Sequence, residues 1–541
     1  MVASAHGRAT EAGVEILRAG GNAVDAAAAV AATLNVVEPN ASGIGGGGFL
    51  TVRGADGRTA VLDFRETAPA SATREGLASP RAREERWSTE GGRAVCVPGW
   101  LAGIARALET WGSLPLSRIF EPAIRLAEEG FRIHPAQSRI IREESGKLLR
   151  HGGDPGRIPF LREGRPLAPG EICRQPALAE TFRRIAREGT EVFYRGEIGR
   201  DLLRAVERAG GRMTASDLAG YRVAVRRPLE GTYRGFRILS APPASSGGTH
   251  LVELLNLLEP FPLGEGDPNG PETLHLLAEA LKLIYADRAA YMADSAFASP
   301  PLAGLTSKDY ARVRGERIDP GRAALAVPPG EPGRFEERPG APFRGGCAAE
   351  RTSTSSFSAA DARGNWVACT CTVNDFFGSG VFVPEWGIVL NDEADDFCCD
   401  DPGSVNAPEP GKRPLSSMSP TLVLDPAGRP VLSAGAAGGV RILSAMARIL
   451  VNLLDFRMSL AEAIEAPRIA IGLSGDRAEP LELEEGIPPE TAEALRARGH
   501  QVKVAGRSSL FGTAQGILLD PLSGELEGAA DPRRLGTARG C

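Results

Sequence analysis

The hydrophobic pattern changes period partway along the chain, and that change limits the folds open to it. Between Pro98 and Asp294 the segments WLAGIARALETWG, LSRIFEPAIRLAEEGF, ALAETFRRIAREG and LHLLAEALKLIYADRAAYMAD repeat apolar residues every 3.6 positions, the signature of amphipathic helices. Residues 324–346 (ALAVPPGEPGRFEERPGAPFRGG) then carry Pro, Gly and charge with no apolar period, which reads as an exposed, mobile linker and a boundary. Beyond it strands and turns dominate: TSTSSFSAAD, GNWVACTCTVND, WGIVLND and SPTLVLDPAGRPVLSAG, closed by a helix at VRILSAMARILVNLL. The chain is therefore read as mixed α and β. At 541 residues it exceeds one ordinary core.

The N-terminal end reads as two helices. TEAGVEILRAG closes on Gly20, and GNAVDAAAAVAATLNVVEP follows. The second is Ala-rich and interrupted by Asp25 and Asn35, so it is a packed helix and not a membrane span. Met1 leads straight into VASAH without a basic and apolar leader, so a secretory signal is absent or was removed before this numbering begins, and the compartment stays open. Gly43, Gly45 and Gly48 match GxGxxG in form. A dinucleotide fingerprint needs a strand before the glycines and a helix after them; here a helix precedes and the strand Phe49–Arg53 follows. Close approach of this backbone to a site or to another strand is the better reading.

A net charge of −6, with 62 basic and 68 acidic residues dispersed along the chain, argues against a nucleic-acid groove and leaves small molecules as partners. Cys96, Cys173, Cys347, Cys369, Cys371, Cys398, Cys399 and Cys541 form no CxxC pair and read as free thiols. The six histidines fall in no metal or catalytic motif.

Immediately after the linker, Thr352–Ser358 and the strand beginning at Trp366 flank the turn Asp361–Asn365 and read as a hairpin. In the second strand Val367, Cys369, Cys371 and Val373 share one face, the core face. Thr370, Thr372 and Asn374 share the other, toward the strand carrying Thr354. A polar row on a central strand needs partners or a ligand. Downstream, Glu393 and Asp396 lie three residues apart, and Ser416-Ser417 and Gly438-Gly439 fall in turns.

Taken together these motifs resemble the γ-glutamyltranspeptidase (glutathione hydrolase) family of the N-terminal-nucleophile hydrolase superfamily. The resemblance runs through ASAHGRATEAGVEILRAGGNAVDAAAAVA, GGGGFL, DFRETAP, VPGW, PPASSGGTHLVELLN, YADRAAYMADSAF, LNDEADDF, KRPLSSMSP, GAAGGVRI and DPRR. It implies an α+β fold, a four-layer αββα sandwich with additional helices from the large subunit. It implies self-cleavage between Ser353 and Thr354 into a large subunit of residues 1–353 and a small one of 354–541, held together as a heterodimer. Thr354 would be the nucleophile, its freed α-amine serving as base, since such amines titrate near neutrality and no histidine is required. The resemblance further implies that Thr372 orients the nucleophile and that Gly438 and Gly439 supply oxyanion-hole amides. Glu393, Asp396 and Asn374 would hold the α-ammonium of a γ-glutamyl group, and Arg65 with Ser416 and Ser417 its α-carboxylate.

The implied activity is transfer of the γ-glutamyl group of glutathione and related compounds to water or to an amino acid or peptide, a chemistry that requires neither a metal nor an organic cofactor. Two other readings stand beside it: an acylase for glutaryl- or cephalosporin-type side chains on the same fold, and a non-cleaving, catalytically silent homologue. Thr354-Ser355-Ser356 stands where many members have Thr-Thr-His. The segment FCCDDPGSVNAPEPG is shorter than the lid of many members, which predicts a more open site and hydrolysis in excess of transfer.

Overall fold

The computed structural model describes residues 1–337, 353–520 and 523–541. Two antiparallel sheets stack at its centre. One has seven strands in the order Thr537–Arg539, Val2–Ser4, Ser355–Ala360, Trp366–Thr372, Gly47–Arg53, Thr59–Asp63, Ala224–Arg226. The other has six, in the order Leu526–Ala530, Thr513–Leu519, Pro430–Ala437, Thr421–Leu424, Phe236–Ser240, Leu229–Tyr233. Val2–Ser4 is a correction to the sequence reading, in which helices open the chain. Three residues give too short a pattern to read, and the strand exists because it bridges Ser355–Ala360 and Thr537–Arg539.

Helices cover both outer faces. Gly7–Arg18, Ala23–Val37, Trp100–Trp111 and Leu116–Glu129 pack on the seven-stranded sheet, where Val367, Cys369 and Cys371 join their apolar cluster. Gly247–Leu258, Pro271–Tyr291 and Arg441–Leu454 cover the six-stranded sheet. Between the sheets lies a thinner layer with Ala3, Leu239, Ala360, Trp366, Ala368, Leu422 and Ile517. This is the αββα sandwich. The helix Ala23–Val37 is buried along its whole length, and its alanines allow the close approach; an Asn22/Asp25 capping box fixes its start.

The expected hairpin forms, with Ser356 opposite Thr370 and Ser355 opposite Cys371. Its second strand pairs on the other side with Gly47–Arg53. The glycines before that strand admit close backbone contact, as the sequence implied: a Cβ on Gly46 would lie 2.0 Å from the Thr372 carbonyl oxygen.

Three readings need correction. The region expected to be largely helical also supplies three strands of the two central sheets, Ala224–Arg226, Leu229–Tyr233 and Phe236–Ser240, besides shorter two-residue strands. The described part of the expected linker is not free: Val327 is buried and its amide donates to the Asp476 carbonyl at 2.7 Å, tying it to the C-terminal part of the chain. Residues 338–346 of that linker lie outside the described residues. Finally, Cys398 is disulfide-bonded, whereas Cys96, Cys173, Cys369, Cys371, Cys399 and Cys541 are free thiols; Cys347 lies outside the described residues. No helix among the described residues is long and apolar enough to cross a membrane.

Candidate active site

Thr354 immediately precedes the strand Ser355–Ala360, so the centre of the sheet fixes its position. The surroundings of the Ser353–Thr354 bond are anchored on both sides. Ser353 Oγ donates to the Asn40 carbonyl at 2.9 Å. Ser355 Oγ donates to Glu38 Oε2 at 2.6 Å, and Arg534 Nη1 donates to the Thr354 carbonyl at 2.5 Å while lying 3.8 Å from Glu38. Burial raises the Glu38 carboxyl above the usual carboxylate range, with Arg534 and Ser355 opposing the shift.

The Thr354 hydroxyl donates to the Ser353 carbonyl oxygen, which places it beside the peptide carbonyl it would attack. Thr372 Oγ1 lies 3.4 Å from Thr354 Oγ1 and donates to the same carbonyl oxygen at 2.8 Å. It also accepts from the Asn374 amide at 2.8 Å. A hydroxyl has one proton to donate, so these partners direct the Thr372 proton at the Ser353 oxygen. Asn374 lies past the strand end at φ 77°, so the two-residue alternation does not continue to it. Its side chain donates to the Asp392 carbonyl at 3.2 Å, joining the nucleophile region to the acidic turn.

That turn, the 3₁₀ segment Glu393–Asp396, faces Arg65. Arg65 Nη1 lies 2.7 Å from Glu393 and Nη2 pairs with Asp396. Nη2 also donates to the Leu415 carbonyl at 3.0 Å, and Nε to the Pro414 carbonyl at 3.3 Å. Burial works against the Arg65 charge, but Glu393, Asp396 and Glu66 more than offset it and raise its pKa. The sequence reading divided Arg65 and the two acids between opposite ends of a ligand; the structure pairs them with one another. Ser416 and Ser417 are buried in the segment that supplies the Pro414 and Leu415 carbonyls. Ser416 Oγ accepts from the Met418 amide at 3.1 Å.

Gly438 and Gly439 follow the strand Pro430–Ala437, which packs against Ser355–Ala360. Their φ angles of 141° and 58° favour glycine, and a Cβ on Gly438 would meet the Gly512 Cα at 2.9 Å. Among the described residues no hydrogen bond joins this pair to Thr354.

Several contributors carried no role in the sequence reading. Glu38, Asn40 and Arg534 frame the Ser353–Thr354 bond; of these only Arg534, in DPRR, fell in a recognised motif. Ser246 fixes the loop below Arg65, its amide and Oγ both donating to the Ser416 carbonyl at 2.7 Å. Glu66 is buried beside Arg65, and burial pushes its carboxyl up to about 8. Ser356, the departure noted next to the nucleophile, is buried on the face opposite Ser355 and toward Gly435, with no contact to Thr354. The expected open site is not what the uncut chain shows, since Thr354, Arg65, Glu393 and Asp396 are all buried. The shortened segment is itself tied down: Asn406 Nδ2 donates to the Asp396 carbonyl at 2.8 Å, and the Gly411 amide to the Ala68 carbonyl at 2.8 Å.

Comparison with known proteins agrees with this geometry. The family model described as Gamma-glutamyltranspeptidase matches residues 9–541. The glutathione hydrolase proenzyme of Escherichia coli (strain K12) is 38% identical over 98% of this chain and 90% of its own length. The acylase ACY 1 proenzyme of Pseudomonas sp. (strain SE83) is 40% identical over 99% of this chain and 92% of its own. Among solved structures, the cephalosporin acylase from Bacillus halodurans superposes with a TM-score of 0.88 at 31% identity, covering 99% of this chain and 94% of that one.

Proposed function

The chain belongs to the γ-glutamyltranspeptidase family, and on that premise we propose that it is a proenzyme that cuts itself before Thr354 and then transfers the γ-glutamyl group of glutathione and related compounds. In the first reaction the Thr354 hydroxyl attacks the Ser353 carbonyl carbon. The C–O bond forms, the Ser353–Thr354 C–N bond breaks, and the nitrogen takes up a proton. Thr372 donates to the carbonyl oxygen as negative charge gathers there; its 2.8 Å hydrogen bond to that atom supports the role. Water then hydrolyses the ester. It leaves a carboxylate on Ser353 and frees the hydroxyl of Thr354, whose α-amine the acyl shift has already released.

In the second reaction that amine accepts the hydroxyl proton while Thr354 Oγ1 attacks the γ-carbonyl. The amide bond to the leaving portion breaks, its nitrogen is protonated, and a γ-glutamyl ester of Thr354 remains. Gly438 and Gly439 donate their amides to the developing oxyanion. Water or an acceptor amine resolves the ester, giving hydrolysis or transpeptidation. The large and small subunits, 1–353 and 354–541, stay together because their strands share the seven-stranded sheet.

The observation that carries the substrate assignment is the buried contact of Arg65 with Glu393 and Asp396. A γ-glutamyl group brings an ammonium and a carboxylate on one carbon. It can exchange into this cluster without changing its net charge, the carboxylate taking the Arg65 fork and the ammonium the two acids, with Asn374, Ser416 and Ser417 completing the cradle. A glutaryl side chain has the carboxylate without the ammonium and would leave both acids without a cation. The acylase relative keeps that second reading in view. Turnover of γ-glutamyl and glutaryl anilides by the matured protein tests the choice: the γ-glutamyl compound is the expected substrate, and preference for the glutaryl one would overturn the assignment.

A further inference from the structure

A cavity of about 290 Å³ opens beside the acidic turn, and two arginines, Arg93 and Arg212, line it together with Trp87. The Arg93 guanidinium carbon lies over the Trp87 ring, 3.6 Å from its centroid, a cation–π contact. Among the described residues neither Arg93 nor Arg212 is paired with a carboxylate. Glu85, the acid that acts on Arg93 through space, is already engaged by Arg81 at 2.7 Å and by Trp87 Nε1 at 2.8 Å. Burial and then the charges of Arg212 and Arg81 hold the Arg93 guanidinium below its ordinary value, with Glu85 opposing the shift. Elsewhere on this surface arginines are routinely matched, as Arg74 is by Glu409 and Arg150 by Glu90.

The cavity is also joined to the candidate active site at two points. Ala94, next to Arg93, accepts through its carbonyl from the Ala394 amide at 3.2 Å. Ser88, next to Trp87, donates to Asp395 Oδ1 at 3.2 Å. Ala394 and Asp395 are the two residues between Glu393 and Asp396. The wall that carries Trp87 and Arg93 is thus built onto the turn that faces the ammonium of the donor.

We infer that Arg93 and Arg212, over the Trp87 platform, form an anionic subsite for the carboxylate at the far end of the donor's leaving portion. The inference rests on the γ-glutamyl reading above and extends it to the part of the substrate beyond the cleaved bond. In glutathione that portion is a dipeptide ending in a carboxylate. A dipeptide reaches about 7 Å when extended, and the planar fork of an arginine suits its terminal group. Neither arginine touches the reacting atoms. Their effect is on which leaving groups are selected.

The test compares kcat/KM for hydrolysis of glutathione, of its glycinamide analogue lacking that carboxylate, and of γ-glutamyl-p-nitroanilide. It uses the matured wild type and the Arg93→Gln and Arg212→Gln variants. In the wild type glutathione is expected to exceed the glycinamide by about tenfold, chiefly through KM, the scale of one charge-assisted contact. Each glutamine variant is expected to collapse that ratio toward one, and Arg93→Lys to restore it in part. Arg212 is exposed, so its variant tests the idea without risk to folding. Equal wild-type turnover of acid and amide would overturn the subsite, and so would variants that slow all three compounds alike. Failure to turn over any of the three would refute the γ-glutamyl reading itself, and the subsite with it.

Discussion

Replacing Thr372 with valine keeps the shape of the side chain and removes one hydroxyl, which isolates what that hydroxyl does for maturation. Two hydrogen bonds are lost, the donation to the Ser353 carbonyl at 2.8 Å and the acceptance from the Asn374 amide at 2.8 Å. The first is an oxyanion-type contact to the bond that breaks, and loss of one such donor costs about 2.7–4 kcal/mol of barrier, or roughly 10²- to 10³-fold in rate. The second leaves a buried amide without its acceptor and costs about 1–3 kcal/mol of stability. The two effects separate by assay. A mass-spectrometric time course of freshly purified precursor at neutral pH reads the cleavage rate, and thermal unfolding reads the stability. Thr372→Val is expected to mature at least a hundredfold more slowly with a modest fall in melting temperature, and Thr372→Ser to mature near the wild-type rate. A valine variant that cleaves as fast as wild type would refute the role, as would a serine variant as slow as the valine one.

Arg65→Lys keeps a charge but cannot reproduce the fork that reaches Glu393, Asp396 and the Leu415 carbonyl; steady-state kinetics should show kcat/KM for γ-glutamyl substrates down by about 100-fold, mostly in KM. Arg534→Gln removes the Glu38 partner and weakens the hold on the Thr354 carbonyl, and the same mass time course should show cleavage slowed by about tenfold. Glu66 titrates at about 8 in the folded chain, above its unfolded value near 4.3. Its proton is therefore retained by the folded state and released by the unfolded one between those values. Stability from this group is complete below about pH 4.3 and is lost as pH rises through 8. Glu66→Gln should flatten the fall in melting temperature between about pH 5 and pH 8; parallel curves for variant and wild type would contradict the assignment.

The hairpin that follows Thr354 was legible in the sequence because its alternation is real on both faces: Val367, Cys369 and Cys371 meet helices, while Thr372 turns to Thr354. The acidic pair and Arg65 were legible as chemistry but not as a contact. A sequence shows that opposite charges exist, not that they pair with one another. The framing of the Ser353–Thr354 bond was the least readable part. Glu38 ends one helix near the start of the chain and Arg534 lies seven residues from its end; only the sheet, which places Val2–Ser4 between Ser355–Ala360 and Thr537–Arg539, brings these regions together. Asn374 escaped the alternation because its positive φ turns the chain away at the strand end, a local decision that period-two reasoning does not contain. Openness was misjudged from segment length, since hydrogen bonds such as Asn406 to Asp396, and not length, decide how closely that segment lies.

The central claim is that this chain breaks itself at one peptide bond and that the new N-terminal threonine is the reagent. The intact mass of the purified protein under denaturing conditions, after incubation at neutral pH, tests it most directly. The account predicts two species whose masses match a break between Ser353 and Thr354, and a single uncut species for Thr354→Ala. A wild-type chain that stays whole, or that breaks at any other bond, would contradict it.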